Sequence, residues 1–87
     1  MSKINNNPNE LNSQTQTQRI LAYMREGNTI TPLEALHKFG CFRLGARISD
    51  IEGIIGFPPE RKKVPVVNAE GKKVHVMSYW LPKEALQ

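Results

Sequence analysis

The stretch from Thr31 to Ile51 constrains the fold of this chain more than any other part of the sequence. It reads TPLEALHKFGCFRLGARISDI. Thr31 and Pro32 are typical of a helix start, because a threonine side chain caps free backbone N–H groups and proline suits the first helical position. Gly40 is typical of a helix end, since glycine readily adopts the left-handed conformation found there. The stretch therefore predicts a short helix, a tight turn and a second helix.

Length and charge limit how many domains this chain can form and what kind of partner it favours. A chain of 87 residues makes one small domain, with no room for a second core. Twelve Lys and Arg against eight Asp and Glu give a net charge of +4, which favours an anionic partner such as nucleic acid or an acidic protein surface. The single cysteine, Cys41, excludes an internal disulfide and is typical of a reducing compartment. The apolar runs are too short to span a membrane, so we expect a soluble, cytoplasmic protein.

The chain before this stretch predicts a tail and a leading helix. Residues 1–12 contain five Asn and almost no apolar side chains to bury, so we expect them to be disordered. A helix is predicted from Ser13 to Glu26, with its inward positions at spacings of three and four: Thr17, Ile20, Leu21 and Met24. Ser13 is the predicted N-cap of this helix, with Gln16 three residues on where a capping box wants Glu or Gln. Ile30, in the link that follows, is a candidate for weak pairing with a later strand.

The two helices of the central stretch each have a predicted buried side. In the first, Leu33 and Leu36 are expected to face inward, with Ala35 and Phe39 as further candidates. The second is predicted from Phe42 to Glu52, with Gly53 ending it, and its buried stripe consists of Leu44, Ile48 and Ile51. The opposite side of that helix is predicted to present Arg43, Ala46, Arg47 and Asp50. Gly45 is expected to permit close packing on the preceding helix.

A β-hairpin is predicted after the helices. Two Val-rich and aromatic runs, Lys62 to Val67 and Lys73 to Leu81, are separated by a turn at residues 68–71 that ends in glycine. Pro65 cannot donate a backbone hydrogen bond, so the first strand should lie at an edge. Tyr79 and Leu81 are expected to pack on the helices. Residues 82–87 are predicted to form a C-terminal tail.

This order of elements predicts an α+β fold over residues 13–81, a winged helix-turn-helix with three helices followed by a β-hairpin wing. In that arrangement the third helix lies in the major groove of DNA while neighbouring elements hold phosphates. Arginine can bond both O6 and N7 of guanine. The candidate base-reading residues are Arg43, Ala46, Arg47 and Asp50. The candidate backbone contacts are Lys38, Ser49, Arg61, Lys62, Lys63, Lys72 and Lys73.

The run TPLEALHKFGCFRLGARISDIE, preceded by QRILAYMREGNTI and followed by the GKKV…YWL hairpin, resembles a small winged helix-turn-helix family. That family is common in phages, prophages and bacterial mobile elements, and the resemblance covers about Ser13 to Leu81. It implies DNA binding and little about the target or the regulatory outcome. We expect non-catalytic binding of double-stranded DNA by a small transcriptional regulator or accessory factor. The segment from Ile54 to Lys63 is longer than the usual link of the family, which leaves the position of the wing open.

The sequence offers little support for an enzymatic function. His37 and His75 have no second ligand at metal-binding spacing, and Cys41 has no oriented base, so no catalytic residue, metal or cofactor is expected. The main alternative is a winged-helix protein–protein interaction module of a phage or mobile-element protein, docking an acidic partner. The sequence does not decide between a monomer and a homodimer, nor does it identify the DNA target.

Overall fold

A computed structural model describes residues 13–86 as three helices followed by a two-stranded antiparallel hairpin. The elements are α1 (Ser13–Arg25), α2 (Pro32–Phe39), α3 (Leu44–Ile55), β1 (Glu60–Val67), β2 (Lys73–Trp80) and a short 3₁₀ turn (Lys83–Ala85). The predicted α+β fold is confirmed. The predicted disorder of residues 1–12 lies outside the described residues.

The start and end of α2 follow the local chemistry of the sequence. The Thr31 hydroxyl accepts a hydrogen bond from the Glu34 N–H (3.3 Å), and the Thr31 N–H donates to Glu34 Oε1 (3.0 Å). This reciprocal capping box satisfies two backbone donors that the helix leaves free. At the other end Gly40 adopts a left-handed conformation with φ of 64°. The predicted start and end of this helix are confirmed.

One core joins the three helices to the base of the hairpin. Its buried members are Ile20, Leu21, Met24, Ile30, Ala35, Cys41, Leu44, Ile48, Ile51 and Leu81. The predicted apolar stripes of α1 and α3 are therefore confirmed. In α2 the expectation for Leu33 is wrong, because its side chain is 61% exposed while Ala35 is fully buried. A helix advances by about 100° per residue, so these two positions lie on nearly opposite sides.

The third helix ends later than predicted. It continues through Gly53 to Ile55, and Gly56 ends it in a left-handed conformation with φ of 91°. The prediction of an end at Gly53 is wrong, because the additional turn brings Ile55 against the core, one turn beyond Ile51. As a result only residues 56–59 connect α3 to β1. This link is shorter than the segment from Ile54 to Lys63, whose length had left the position of the wing undetermined.

The hairpin is in continuous register from the pair Glu60–Trp80 to the pair Val67–Lys73. Its turn is closed by the Asn68 N–H, which donates to the Lys72 carbonyl (2.9 Å), and by Gly71, whose φ is 81°. The Asn68 side-chain oxygen also accepts from the N–H groups of Glu70 and Lys72. This geometry corresponds to a three-residue hairpin loop with glycine in the left-handed position.

Ile30 adds a short third segment to the sheet. Its N–H donates to the Tyr79 carbonyl and its carbonyl accepts from the Tyr79 N–H, both at 2.9 Å. The predicted weak pairing is confirmed, and it anchors the base of the hairpin to the entry of α2. Leu81 is buried and Tyr79 packs against the core, as the sequence predicts.

Pro65 lies at a position of β1 where its missing backbone N–H removes no hydrogen bond between the strands. Backbone groups alternate between the two edges of an antiparallel strand, and Asn68 directs its N–H towards β2. By this alternation the N–H groups of Val66 and Val64 also point towards β2, whereas the backbone nitrogen of Pro65 points to the open edge of β1. The predicted edge position is confirmed, since within the described residues β1 pairs with β2 alone. A proline at an open edge also discourages pairing with another chain.

Candidate nucleic-acid interface

Arg43 lies at the N-terminal end of α3 with an exposed side chain. It is the N-cap residue of the helix, and its carbonyl accepts from the N–H groups of Ala46 (3.1 Å) and Arg47 (3.3 Å). The free N–H groups of a helix N-terminus attract anions. The neighbouring Phe42 is 76% exposed. This end of α3 therefore offers a cation, backbone donors and an aromatic ring to the same region of solvent.

Arg47 occupies a different environment from Arg43. Only 15% of its side chain is exposed, and its Nε lies 3.0 Å from Asp50 Oδ2. The Nε has no partner with hydrogen-bonding angles, so this contact is an ion pair without an aligned hydrogen bond. The Arg47 Nη1 also donates to Gln16 Oε1 (3.4 Å). The expectation that Arg47 lies on the solvent-facing side of the helix is wrong, because that flank of α3 packs on α1.

Gln16 links α1 to both halves of the helix-turn-helix. Its side chain is nearly buried, and its Nε2 donates to the Gly40 carbonyl (3.2 Å) while its Oε1 accepts from Arg47. Next to it, the Thr17 hydroxyl donates to Asp50 Oδ2 (3.1 Å). From the sequence, Gln16 is predicted only to take part in the local cap of α1. Its spacing of four from Ile20 is the signal that could have placed it on the inward face.

The solvent face of α3 carries no cation among its described side chains. The exposed residues of α3 are Gly45, Ser49, Asp50, Glu52, Gly53 and Ile54, with Ala46 half-buried. A Cβ added to Gly45 would meet no atom within 4 Å. The expectation that Gly45 packs closely on α2 is therefore wrong, and its surface is open to a partner. The exposed arginine that belongs to this helix-turn-helix segment, Arg43, lies at the N-terminal end of α3.

The cations of the hairpin strands lie on two opposite faces. Side chains alternate along a strand, so Arg61, Lys63 and Lys73 share one face with Tyr79 and His75. All three cations are exposed, and Tyr79 at the base of this face packs against the core. We call the surface of Arg61, Lys63 and Lys73 the basic face. The basic face extends along the hairpin from Tyr79, which packs on the helices.

The opposite face of the hairpin is apolar. Two cross-strand pairs, Val64–Val76 and Val66–Val74, lie side by side on it, and Lys62 belongs to this face. Lys72 lies in the turn at the tip. The sequence pattern alone predicts equivalent phosphate contacts for all the hairpin lysines. The register separates Lys62 from Lys63 although they are neighbours in the chain.

The elements and their order agree with a comparison against known protein families. The family described as "Winged helix-turn-helix domain" matches residues 15–84, which is most of the chain. This chain belongs to the winged helix-turn-helix family. No curated protein and no solved structure gives a significant match. In the terms of the family, α2 and α3 form the helix-turn-helix and the β1–β2 hairpin is the wing.

Lys38 lies on the last turn of α2 of this winged helix-turn-helix domain. Its Nζ lies 5.8 Å from the centre of the Tyr23 ring, and that ring packs edge-on against Phe39 with centroids 5.5 Å apart. A cation over an aromatic face is weakly attracted to it. The contact holds Lys38 beside the junction of α1 and α2 while leaving the residue exposed.

Within residues 13–86, the side chains that could bind a metal or act as a nucleophile do not come together in a site. Within that range no three His, Cys, Asp or Glu side chains stand close enough to hold a metal ion. Both histidines are exposed, and Cys41 is buried as a free thiol. None of the helices described is long and apolar enough to cross a membrane.

Proposed function

We propose that this winged helix-turn-helix domain binds double-stranded DNA without catalysis, as a small transcriptional regulator or accessory factor. The observation that carries the proposal is the basic face of the wing, where Arg61, Lys63 and Lys73 line up by register. A second source of positive charge, Arg43, lies at the N-terminal end of the helix that enters the major groove in this family of folds. Two separate elements thus offer positive charge to one duplex.

Base reading is assigned first to Arg43. Its exposed guanidinium can donate to O6 and N7 of a guanine when the N-terminal end of α3 enters the groove. Ala46 offers a methyl group for contact with thymine, and Ser49 a hydroxyl for a phosphate. Gly45 adds no side chain there, so the backbone can approach the duplex closely.

Arg47 and Asp50 receive a positioning role in this proposal. Their contacts with Gln16 and Thr17 hold α3 against α1 and so set the angle at which α3 meets the groove. Direct base contact by Arg47 or Asp50 stays a prediction. It would require Arg47 to leave both Asp50 and Gln16.

Phosphate contacts are assigned to the wing and its surroundings. Arg61, Lys63 and Lys73 would follow one DNA backbone, with Lys72 at the tip of the hairpin. Lys62 projects from the opposite face and Lys38 lies at the α1–α2 junction, so both are assigned weaker contacts. Contacts of this kind fix the orientation of a protein on the duplex without reading its sequence.

Salt-dependent binding tests this function. Fluorescence anisotropy of a labelled random-sequence duplex, titrated at several salt concentrations, should show binding that weakens steeply with salt. If about five phosphates are engaged, the logarithm of the association constant should fall with the logarithm of salt concentration at a slope of roughly −4 to −5. Absence of binding at low salt would contradict the proposal.

A protein partner is the second candidate function, and two observations favour it. The solvent face of α3 presents the carboxylate of Glu52, which forms no ion pair in residues 13–86, beside that of Asp50, which pairs with Arg47. The wing also presents the valine pairs Val64–Val76 and Val66–Val74 on the face opposite the basic face. An interaction module of this kind would bind no duplex in the salt titration.

A further inference from the structure

We propose that Phe42 is a specificity-determining residue, whose ring contacts the C5 methyl group of a thymine in the major groove, close to the guanine assigned to Arg43. Phe42 belongs to the turn between α2 and α3, residues 40–43. The inference rests on the proposed DNA binding and deepens it, because it names a base that the target contains.

The first support is the exposure of the ring. Phe42 is 76% exposed, more than any other large apolar side chain in residues 13–86. Contact with an apolar group of a partner would remove part of this surface from water, which is favourable. Single exposed apolar side chains are common on proteins, so the exposure gains its meaning from the position of Phe42 in the fold.

The second support is the fixed backbone on both sides of Phe42. Cys41 is buried and its N–H donates to the Ala35 carbonyl (3.1 Å). On the other side the Arg43 carbonyl accepts the first hydrogen bonds of α3, and Leu44 is buried in the core. The ring is therefore presented to solvent from a turn that is already ordered. A contact made by such a turn loses little conformational freedom on binding.

The third support is the chemistry of the base edges. In this family of folds the N-terminal end of α3 meets the major groove. A phenyl ring has no hydrogen-bond donor or acceptor, and the apolar group that a base pair presents in the major groove is the thymine methyl group. Apolar side chains that insert between base steps act from the minor groove, which is the wrong side for a ring on this turn. The thymine methyl group is therefore the partner that Phe42 fits.

The neighbouring Arg43 indicates where this thymine should lie. Consecutive Cα atoms are about 3.8 Å apart, and base pairs are stacked about 3.4 Å apart along the duplex. The exposed side chains of Phe42 and Arg43 therefore start about one base-pair step from each other. We expect a T·A pair within about two steps of the G·C pair that Arg43 reads.

Selection from a random-sequence duplex library with the full chain tests this expectation and supplies a probe. The enriched duplexes should share a T·A pair close to a shared G·C pair. Enrichment of duplexes with no shared thymine, or DNA binding without any enrichment, would overturn the inference while leaving the proposed DNA binding intact. Absence of binding at low salt would instead contradict the proposed function itself.

Replacing each thymine of the most enriched duplex in turn with uracil tests the contact, because uracil lacks only the C5 methyl group. Burial of one such group corresponds to about a fourfold change in affinity. At one position the unmodified chain should therefore bind the uracil duplex about fourfold more weakly in anisotropy titrations. Phe42→Ala should bind the thymine and uracil duplexes of that position almost equally. A methyl contact made by Ala46 would differ, because Phe42→Ala would retain its thymine preference.

Ile54→Ala is the matched control, since Ile54 is an exposed apolar residue near the other end of α3 and the variant should keep the full thymine preference. Phe42→Leu should keep part of it, because leucine is also apolar. Phe42→Ala should leave the thermal unfolding midpoint and the salt slope nearly unchanged, since the ring is mostly exposed and uncharged. If Phe42→Ala weakened binding to the thymine and uracil duplexes by the same factor at every position, the inference would be wrong.

Discussion

Replacing Arg61, Lys63 and Lys73 together with glutamine is expected to weaken duplex binding by about two to three orders of magnitude near 0.1 M salt. Each phosphate contact contributes a slope of roughly 0.9 in the dependence of log affinity on log salt, so loss of three contacts should reduce the slope by about 2.7. The three side chains are exposed on one face of the wing and none forms an ion pair within residues 13–86. The free energy of unfolding should therefore change little. Anisotropy titrations at several salt concentrations provide both the affinity and the slope.

The adjacent pair Lys62 and Lys63 offers a matched control for this experiment. Both are exposed and both carry one positive charge, but they project from opposite faces of β1. Lys63→Gln should reduce the salt slope by about 0.9, while Lys62→Gln should reduce it much less. Equal effects of the two substitutions would indicate that net charge, and not the basic face, determines binding.

Arg47→Met is expected to lower the free energy of unfolding by about 1–2 kcal/mol, because it removes a charged donor from a mostly buried site. Methionine retains much of the aliphatic packing while the ion pair with Asp50 and the hydrogen bond to Gln16 are lost. The Gln16–Arg47 bond is long at 3.4 Å and Asp50 is 48% exposed, which keeps the expected loss below that of a fully buried pair. Urea denaturation followed by circular dichroism measures the change.

Arg43→Met is the control for the same substitution at an exposed position. Arg43 has no side-chain cap hydrogen bond, so its replacement should alter stability by less than about 0.5 kcal/mol while weakening duplex binding. A double-mutant cycle of Arg47→Met with Asp50→Asn should show a favourable coupling, since both residues belong to one contact. If Arg47→Met left stability unchanged, the positioning role assigned to Arg47 would be wrong.

Most of the fold follows from short-range patterns in the sequence. The capping residues Thr31 and Gly40 bound α2 by local hydrogen bonding, and the spacing of Leu44, Ile48 and Ile51 defines the buried side of α3. The errors arose where two local signals competed. Gly53 is a helix-ending residue by type, but burial of Ile55 in the next turn extends the helix past it. In the eight-residue α2, the sequence alone did not separate Leu33 from Ala35 as the inward position.

The candidate interface was less accessible to sequence reasoning, because it depends on contacts between distant residues. Arg47 lies on a flank of α3, and whether that flank is exposed depends on where α1 packs. The contact that decides it joins Gln16 to Arg47, 31 positions apart in the chain. Likewise the alternation of side chains separates Lys62 from Lys63, but their distribution relative to Tyr79 requires the strand register. Binding by the other predicted site residues stays a prediction.

Backbone amide NMR spectra recorded while duplex DNA is added test the central claim most directly, because they locate binding residue by residue. The account predicts that the largest shift changes occur at Arg43, at Ala46 and on the basic face of the wing. Lys62 and the C-terminal end of α3 around Ile54 should change much less. Shift changes concentrated on the valine pairs Val64–Val76 and Val66–Val74 or on the C-terminal end of α3, or no changes at low salt, would contradict it.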